Sequence, residues 1–271
     1  MDEKIKAAII IDSPSLSLDL FYDVTEENID TPFGRTTLIT GDIGSATITL
    51  VYRFGKANKL NPLLVNYRAY VWALAARNIK LVLSFVYANL CNTEMRIAKP
   101  LLFTDVFFPE NRLPDGVVCT MFNQPGDPKR GNYVFDEPFA PSVRKVAADT
   151  IKRCDYDFYE GICGYFPSLR GTSKSEAMYF YSMGLTAITT VGIPEVILSG
   201  EMEIPSILLG FGINYINGLT EKKLPLSEVT TYTEMANQFF SEFISNFFSN
   251  VKKDEIHFDG GFIYRPHQEM V

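Results

Sequence analysis

Few residues in this 271-residue chain have the type and spacing that catalysis or ligand recognition requires. The two histidines, His257 and His267, both lie in the carboxyl-terminal tail, so a histidine acid or base must recruit that tail or be absent. Cys91, Cys119, Cys154 and Cys163 form no close pair, which argues against a dithiol redox centre or a zinc cluster and for buried free thiols. The most suggestive polar group is an amide. The run "SILLGFGINYING" (206–218) is apolar or small until Asn214, at the end of a strand that reads as buried on both faces. In open α/β sheets ligands sit beyond the carboxyl ends of strands. Asn214 therefore either caps the next turn or, offering both a donor and an acceptor, recognises the edge of a base or a sugar.

The elements that must position such groups follow from the pattern. Apolar runs with β-branched content recur at 7–11, 46–52, 80–88, 116–122, 161–166, 186–191 and 206–213, as expected for strands covered on both sides. Helical patterns separate several of them, at 64–77, 141–153 and 173–184. The alternation predicts one α/β domain over residues 1–271, with a mixed, mostly parallel, twisted central sheet flanked by helices. Val229, Met235, Phe239, Phe240, Phe243, Ile244 and Phe247 predict a long helix around 228–249 docked on the body. The stretch Pro109 to Pro138, rich in Pro, Gly and Asn, reads as a surface excursion.

Lys and Arg total 25 and Asp and Glu 32, a formal charge of −7, without a basic block that could track a phosphate backbone. Nucleic acid is thus not an expected partner. With no signal-peptide pattern and no apolar run near the ~20 residues of a membrane helix, the expectation is a cytoplasmic protein without a membrane partner.

Several segments in order carry a wider similarity: "DTPFG" (30–34), "YRFGKANKLNP" (52–62), "VNYRAYVWAL" (65–74), "DEPFAP" (136–141), "EGICGYFPSLRGTSKSEA" (160–177) and "GIPEVILSGEMEIPSILLGFGIN" (192–214). Over roughly residues 5 to 245 the chain resembles the purine nucleoside phosphorylase family, in its 5′-methylthioadenosine phosphorylase branch. The resemblance implies a pentosyltransferase fold, a purine nucleoside or base as ligand with phosphate as co-substrate, no cofactor or metal, and a homo-trimer or hexamer. Family enzymes hold phosphate on one side of a cationic ribose and stabilise the departing purine on the other, mainly by positioning and electrostatics.

Matched position by position, the phosphate side departs from the family. Its Gly-Gly-Ser/Thr turn becomes Asp12, Ser13 and Pro14, adding a like charge and removing an amide donor. The Arg-His-Gly element followed by a second His becomes Arg53, Phe54, Gly55 and then Asn58, which leaves Arg53 as the phosphate-binding residue that the resemblance implies. The Thr-Ala-x-Gly-Ser element becomes Phe85, Val86, Tyr87, Ala88 and Asn89, and a further phosphate-binding hydroxyl becomes Val191. Lys56 or Lys59 could rebuild an anion site. On the other side the resemblance implies Asn214 and Thr172 at the base and Thr190, in place of a methionine, at the sugar. Ile216 replaces the second Asp of the adenine-type pattern, and Asn132 replaces a histidine supplied by the neighbouring subunit. Glu195, in "PEV", reads as complementing a helix amino terminus or as bonding a sugar hydroxyl.

Catalytic residues are not assigned from this pattern. The reading is a homologue with a purine- or nucleoside-type pocket and weak or absent phosphorolysis. Its alternatives are an active phosphorylase of 5′-methylthioadenosine and a non-catalytic, oligomer-forming subunit.

Overall fold

The computed structural model describes residues 4–12, 20–123, 127, 130–221 and 223–265. Nine strands form one sheet in the order β10-β6-β8-β9-β5-β1-β4-β3-β2, namely β1 (Ile5–Ile11), β2 (Tyr22–Thr31), β3 (Gly34–Ile43), β4 (Ala46–Tyr52), β5 (Leu81–Leu90), β6 (Pro100–Phe107), β8 (Tyr159–Tyr165), β9 (Ala187–Thr189) and β10 (Ser206–Tyr215). Strand β1 lies between β4 and β5, parallel to both. Strand β5 is also parallel to β10, whose other edge meets β6 antiparallel. Strands β6, β8 and β9 run parallel, and β9 returns antiparallel to β5, so these five strands close into a ring. A two-stranded ribbon joins β7 (Asn132–Phe135) to β11 (Gly261–Tyr264). The mixed, mostly apolar sheet matches the predicted fold class.

Two-residue periodicity divides the core around β1. Ile5, Ala7, Ile9 and Ile11 pack toward α2 (Pro141–Arg153) and α5 (Leu226–Asn250), while Ala8 and Ile10 pack toward α1 (Tyr67–Ala76) and α4 (Ile193–Glu201). The long predicted helix is α5, but its buried stripe starts at Ala236 and includes Phe248. Met235 is exposed because the first ten residues overhang the body. The predicted helix at 64–77 starts later, where the Asn66 side chain accepts from the Ala69 N–H and caps α1. Its first residues form a separate turn at Pro62–Leu64. Helix α3 (Lys174–Ser182) begins with a reciprocal capping box between Ser173 and Glu176.

The expected strand at 116–122 does not form. A turn bonds the Leu113 N–H to the Val117 carbonyl, and beyond it the segment packs on α4, with Glu201 accepting from Thr120 Oγ1 and the Met121 N–H. Five of the described strands, β2, β3, β6, β7 and β11, have no counterpart among the predicted runs. The hairpin β2–β3 hides because β2 is exposed along most of its length, so no apolar alternation marks it, and β6 opens on a proline at the edge of its pairing. Among the described residues no helix is long and apolar enough to cross a membrane, and no cluster of metal-ligating side chains occurs.

Candidate functional site

The carboxyl ends of β1 and β4 and the middle of the neighbouring β5 bring Asp12, Arg53 and Phe85 together. The Arg53 N–H donates to the Ile11 carbonyl at 3.0 Å, which holds the residue beside the end of β1 and turns its side chain inward, where only 2% of the residue is exposed. The guanidinium is fully engaged. Nε donates to Glu195 at 3.0 Å, and Nη2 donates to Glu195 Oε1 at 2.6 Å and Ser84 Oγ at 2.8 Å. Nη1 donates to the Phe85 carbonyl at 2.9 Å and to Asp12 Oδ1. Tyr70 and Ser84 donate their hydroxyl protons to Glu195, which is completely buried.

Glu195 occupies this place because α4 starts at Gly192, whose φ of +91° suits glycine, followed by Pro194 in the first turn. A Cβ at Gly192 would meet Val86 Cγ1 at 2.7 Å. The carboxylate sits in the first helical turn, but its bonds go to Arg53, Ser84 and Tyr70 rather than outward to a sugar. Burial works against the Arg53 cation, yet Glu195 and Asp12 hold its pKa well above the usual value. Burial raises the Asp12 carboxyl, and Arg53 offsets only part of that rise. The Tyr70 hydroxyl is pushed well up by burial and by Glu195.

The surrounding family positions are closed or apolar. Phe85 is fully buried and meets Phe240 and Phe243 edge-on at 5.0 and 5.9 Å between ring centres. Val191 is buried, Phe54 packs against the core beside α1, and Asn58 sits exposed in a left-handed turn with φ of +49°. Lys56 pairs with Glu26 at 2.7 Å. Tyr87 donates its hydroxyl proton to Asn237 on α5. Ser13, Pro14 and His267 lie outside the described residues, and His257 is exposed beside Ser142.

The residues expected at the base and sugar lie at the other end of this surface. Asn214 pairs in register with Asn89 of β5, is half-buried, and accepts the Tyr215 N–H at 2.8 Å. Asn89 also pairs with Ile188, two residues before the half-buried Thr190, so β5 links both positions. Thr172 is buried and bound reciprocally to Asn217: its hydroxyl donates to the Asn217 carbonyl at 2.5 Å, and Asn217 Nδ2 donates to the Thr172 carbonyl at 2.6 Å. Asn217, unread as a partner in the sequence, closes the loop after β10. Ile216 is buried. Cavities of about 700 and 440 Å³ lie elsewhere, on either side of Phe107 to Pro109. Asn132 and Glu201 line the larger, and Arg170 and Glu176 the smaller.

Sequence reasoning named Arg53 and Glu195 separately but not their pairing, nor the roles of Ser84 and Tyr70. The available signal was a single hydroxyl, Ser84, inside the apolar run 80–86.

No protein-family model matches the chain. It is 28% identical over 210 residues to the S-methyl-5′-thioadenosine phosphorylase of Caenorhabditis elegans, covering 74% of this chain and 70% of that protein. It is 24% identical over 212 residues to the 6-oxopurine nucleoside phosphorylase of Pyrococcus furiosus, covering 75% of this chain and 77% of that one. The methylthioadenosine phosphorylase of Schistosoma mansoni in complex with adenine superposes with a TM-score of 0.79, covering 91% of each chain at 20% identity. The chain is thus similar in sequence to purine nucleoside phosphorylases named for both specificities, and it shares the fold of a methylthioadenosine phosphorylase.

Proposed function

We propose that this protein holds a purine base or nucleoside and catalyses phosphorolysis weakly or not at all. The observation that carries the reading is the donor set of Arg53. All five of its N–H groups meet acceptors of the protein itself, two of them carboxylates. A phosphate arriving there finds no free guanidinium N–H and a negative charge on Asp12. Phe85 and Val191 carry no side-chain donor. Hydrogen bonds to a charged group contribute about 1.5–3 kcal/mol each, so losing three lowers the rate by roughly 10³-fold or more, even when their effects are not additive. Asn214 suits recognition of a base edge, but an amide cannot lend a proton to a leaving nitrogen.

Relatives of this chain are named for 6-oxopurine nucleosides and for methylthioadenosine, and one neighbour holds adenine, which supports a purine-type ligand beside Asn214 and Thr190. Thr172 contributes to that pocket by fixing the Asn217 loop. Self-association into a trimer or hexamer is part of the proposal. It is supported by the exposed side chains of Met178, Tyr179, Tyr181 and Met183 on and just after α3.

The test is release of adenine from 5′-methylthioadenosine, and of hypoxanthine from inosine, in millimolar phosphate, alongside calorimetric titration with adenine and hypoxanthine. Base binding with turnover near background is the expected result. Turnover near the ~10 s⁻¹ typical of enzymes overturns the reading.

A further inference from the structure

We propose that Asp12 is a tethered stand-in for a free oxyanion: its carboxylate fills an anion site formed by the Arg53 guanidinium and the Tyr87 backbone N–H. The inference rests on the functional reading above in taking the unmodified chain not to use phosphate. Three observations carry it.

The first is charge. Glu195 alone neutralises Arg53, and it is already held by Arg53 Nε and Nη2, by Ser84 and by Tyr70. Asp12 is a second carboxylate on the same cation, so the buried cluster carries one negative charge in excess. A group serving packing alone has no need of that charge, and burial disfavours it. The second is the nature of the donors. Asp12 receives Nη1 of Arg53 and the main-chain N–H of Tyr87. A guanidinium and a backbone amide are the donor types that hold carboxylate and phosphate oxygens alike, and here strands fix both. The third is position. Asp12 follows the last residue of β1, beside the carboxyl end of β4 and the middle of β5, and ligands of α/β sheets sit beyond such strand ends. Its side chain is 8% exposed, and β1 makes its register with β4 and β5 through residues before it, so removing the carboxylate leaves the strand pairing intact.

A tethered carboxylate competes at an effective concentration in the millimolar range or above, so free phosphate at millimolar levels does not displace it. Once the carboxylate is gone, the same donors face an empty pocket beside Phe85 and accept a phosphate or sulfate oxygen.

The experiment measures thermal unfolding of the unmodified protein and of Asp12→Ala across a series of inorganic phosphate concentrations, with chloride at matched ionic strength as control and sulfate as a second probe. The unmodified protein responds equally to phosphate and chloride. Asp12→Ala gains a saturable, phosphate-specific rise of about 3–6 °C at ten times its dissociation constant. If Asp12→Ala does not fold, Asp12→Ser carries the same measurement. The proposal is overturned if the variant shows no phosphate-specific rise, or if the unmodified protein shows the same rise. Nucleoside turnover by the unmodified protein is a separate readout, and it tests the functional reading.

Discussion

Replacing Arg53 with methionine isolates the buried cluster that dominates this molecule. The substitution keeps most of the side-chain volume and removes the only cation among Asp12, Glu195, Ser84 and Tyr70. Among the described residues, Glu195 then keeps the hydroxyls of Ser84 and Tyr70, and Asp12 keeps the Tyr87 N–H. The charge-assisted bonds from Nε, Nη1 and Nη2 disappear, and each is of a kind that contributes about 1.5–3 kcal/mol. Proton uptake by the stranded carboxylates limits the damage to the range for breaking a buried pair, about 3–5 kcal/mol. At about 2–4 °C per kcal/mol for a domain near this size, the unfolding temperature falls by about 6–20 °C. The assay is urea denaturation of the unmodified protein, Arg53→Met, and a triple variant that adds Glu195→Gln and Asp12→Asn. Because the triple variant leaves no uncompensated charge, it loses less stability than Arg53→Met alone. A loss below about 1 kcal/mol in Arg53→Met, or a triple variant less stable than the single one, refutes the reasoning.

Three further outcomes follow from the same structure. Because burial raises the folded-state pKa of Asp12 above its unfolded value of about 4, its charged form opposes folding. Asp12→Asn therefore unfolds at higher urea than the parent at pH 7, and the advantage fades as pH falls toward 4; equal midpoints at pH 7 count against this. Gly192→Ala places a Cβ 2.7 Å from Val86 and 3.0 Å from Leu208 at a φ of +91°, which costs about 2–5 kcal/mol in a denaturation experiment; a loss under about 0.5 kcal/mol would falsify it. Burial pushes the Cys91 thiol up to about 12 and raises those of Cys119 and Cys163, so a thiol reagent at pH 8 labels the half-exposed Cys154 first and the other three only on unfolding, as peptide mapping would show.

The parts of this molecule legible in its sequence are those where one residue type reports one environment. The apolar runs of β1, β4, β5 and β10 mark doubly covered strands, and the phenylalanines of α5 mark its docked face. Strand β2 was illegible because both its faces meet solvent, and 116–122 misled because Cys119 and Met121 are buried against a helix instead of a sheet. The candidate site was half legible. Arg53 stood out as the retained donor, and Asp12 as a departure, at positions where an anion was expected. Their joining to Glu195 was not visible, because a contact between residues 142 positions apart leaves no local trace in one sequence. Thr172 illustrates the same limit, since its hydroxyl is engaged by a carbonyl 45 positions away.

The ring of β5, β10, β6, β8 and β9 has a consequence for how the chain is made. Its closing strand, β10, follows the other four strands of the ring in sequence, and it must pair with β5 in parallel register from Val82 opposite Ser206 onward. During synthesis, β1, β4 and β5 emerge and can pair early, while the edge of β5 that later receives β10 waits as an open row of amides and carbonyls. A long-range, parallel closure of this kind is slow, and until it happens the nascent chain exposes an apolar strand edge to its neighbours. The same dependence makes the carboxyl-terminal quarter indispensable to the amino-terminal sheet: a chain cut before residue 206 retains the sequence of β5 and lacks the strand that covers its edge from Val82 onward.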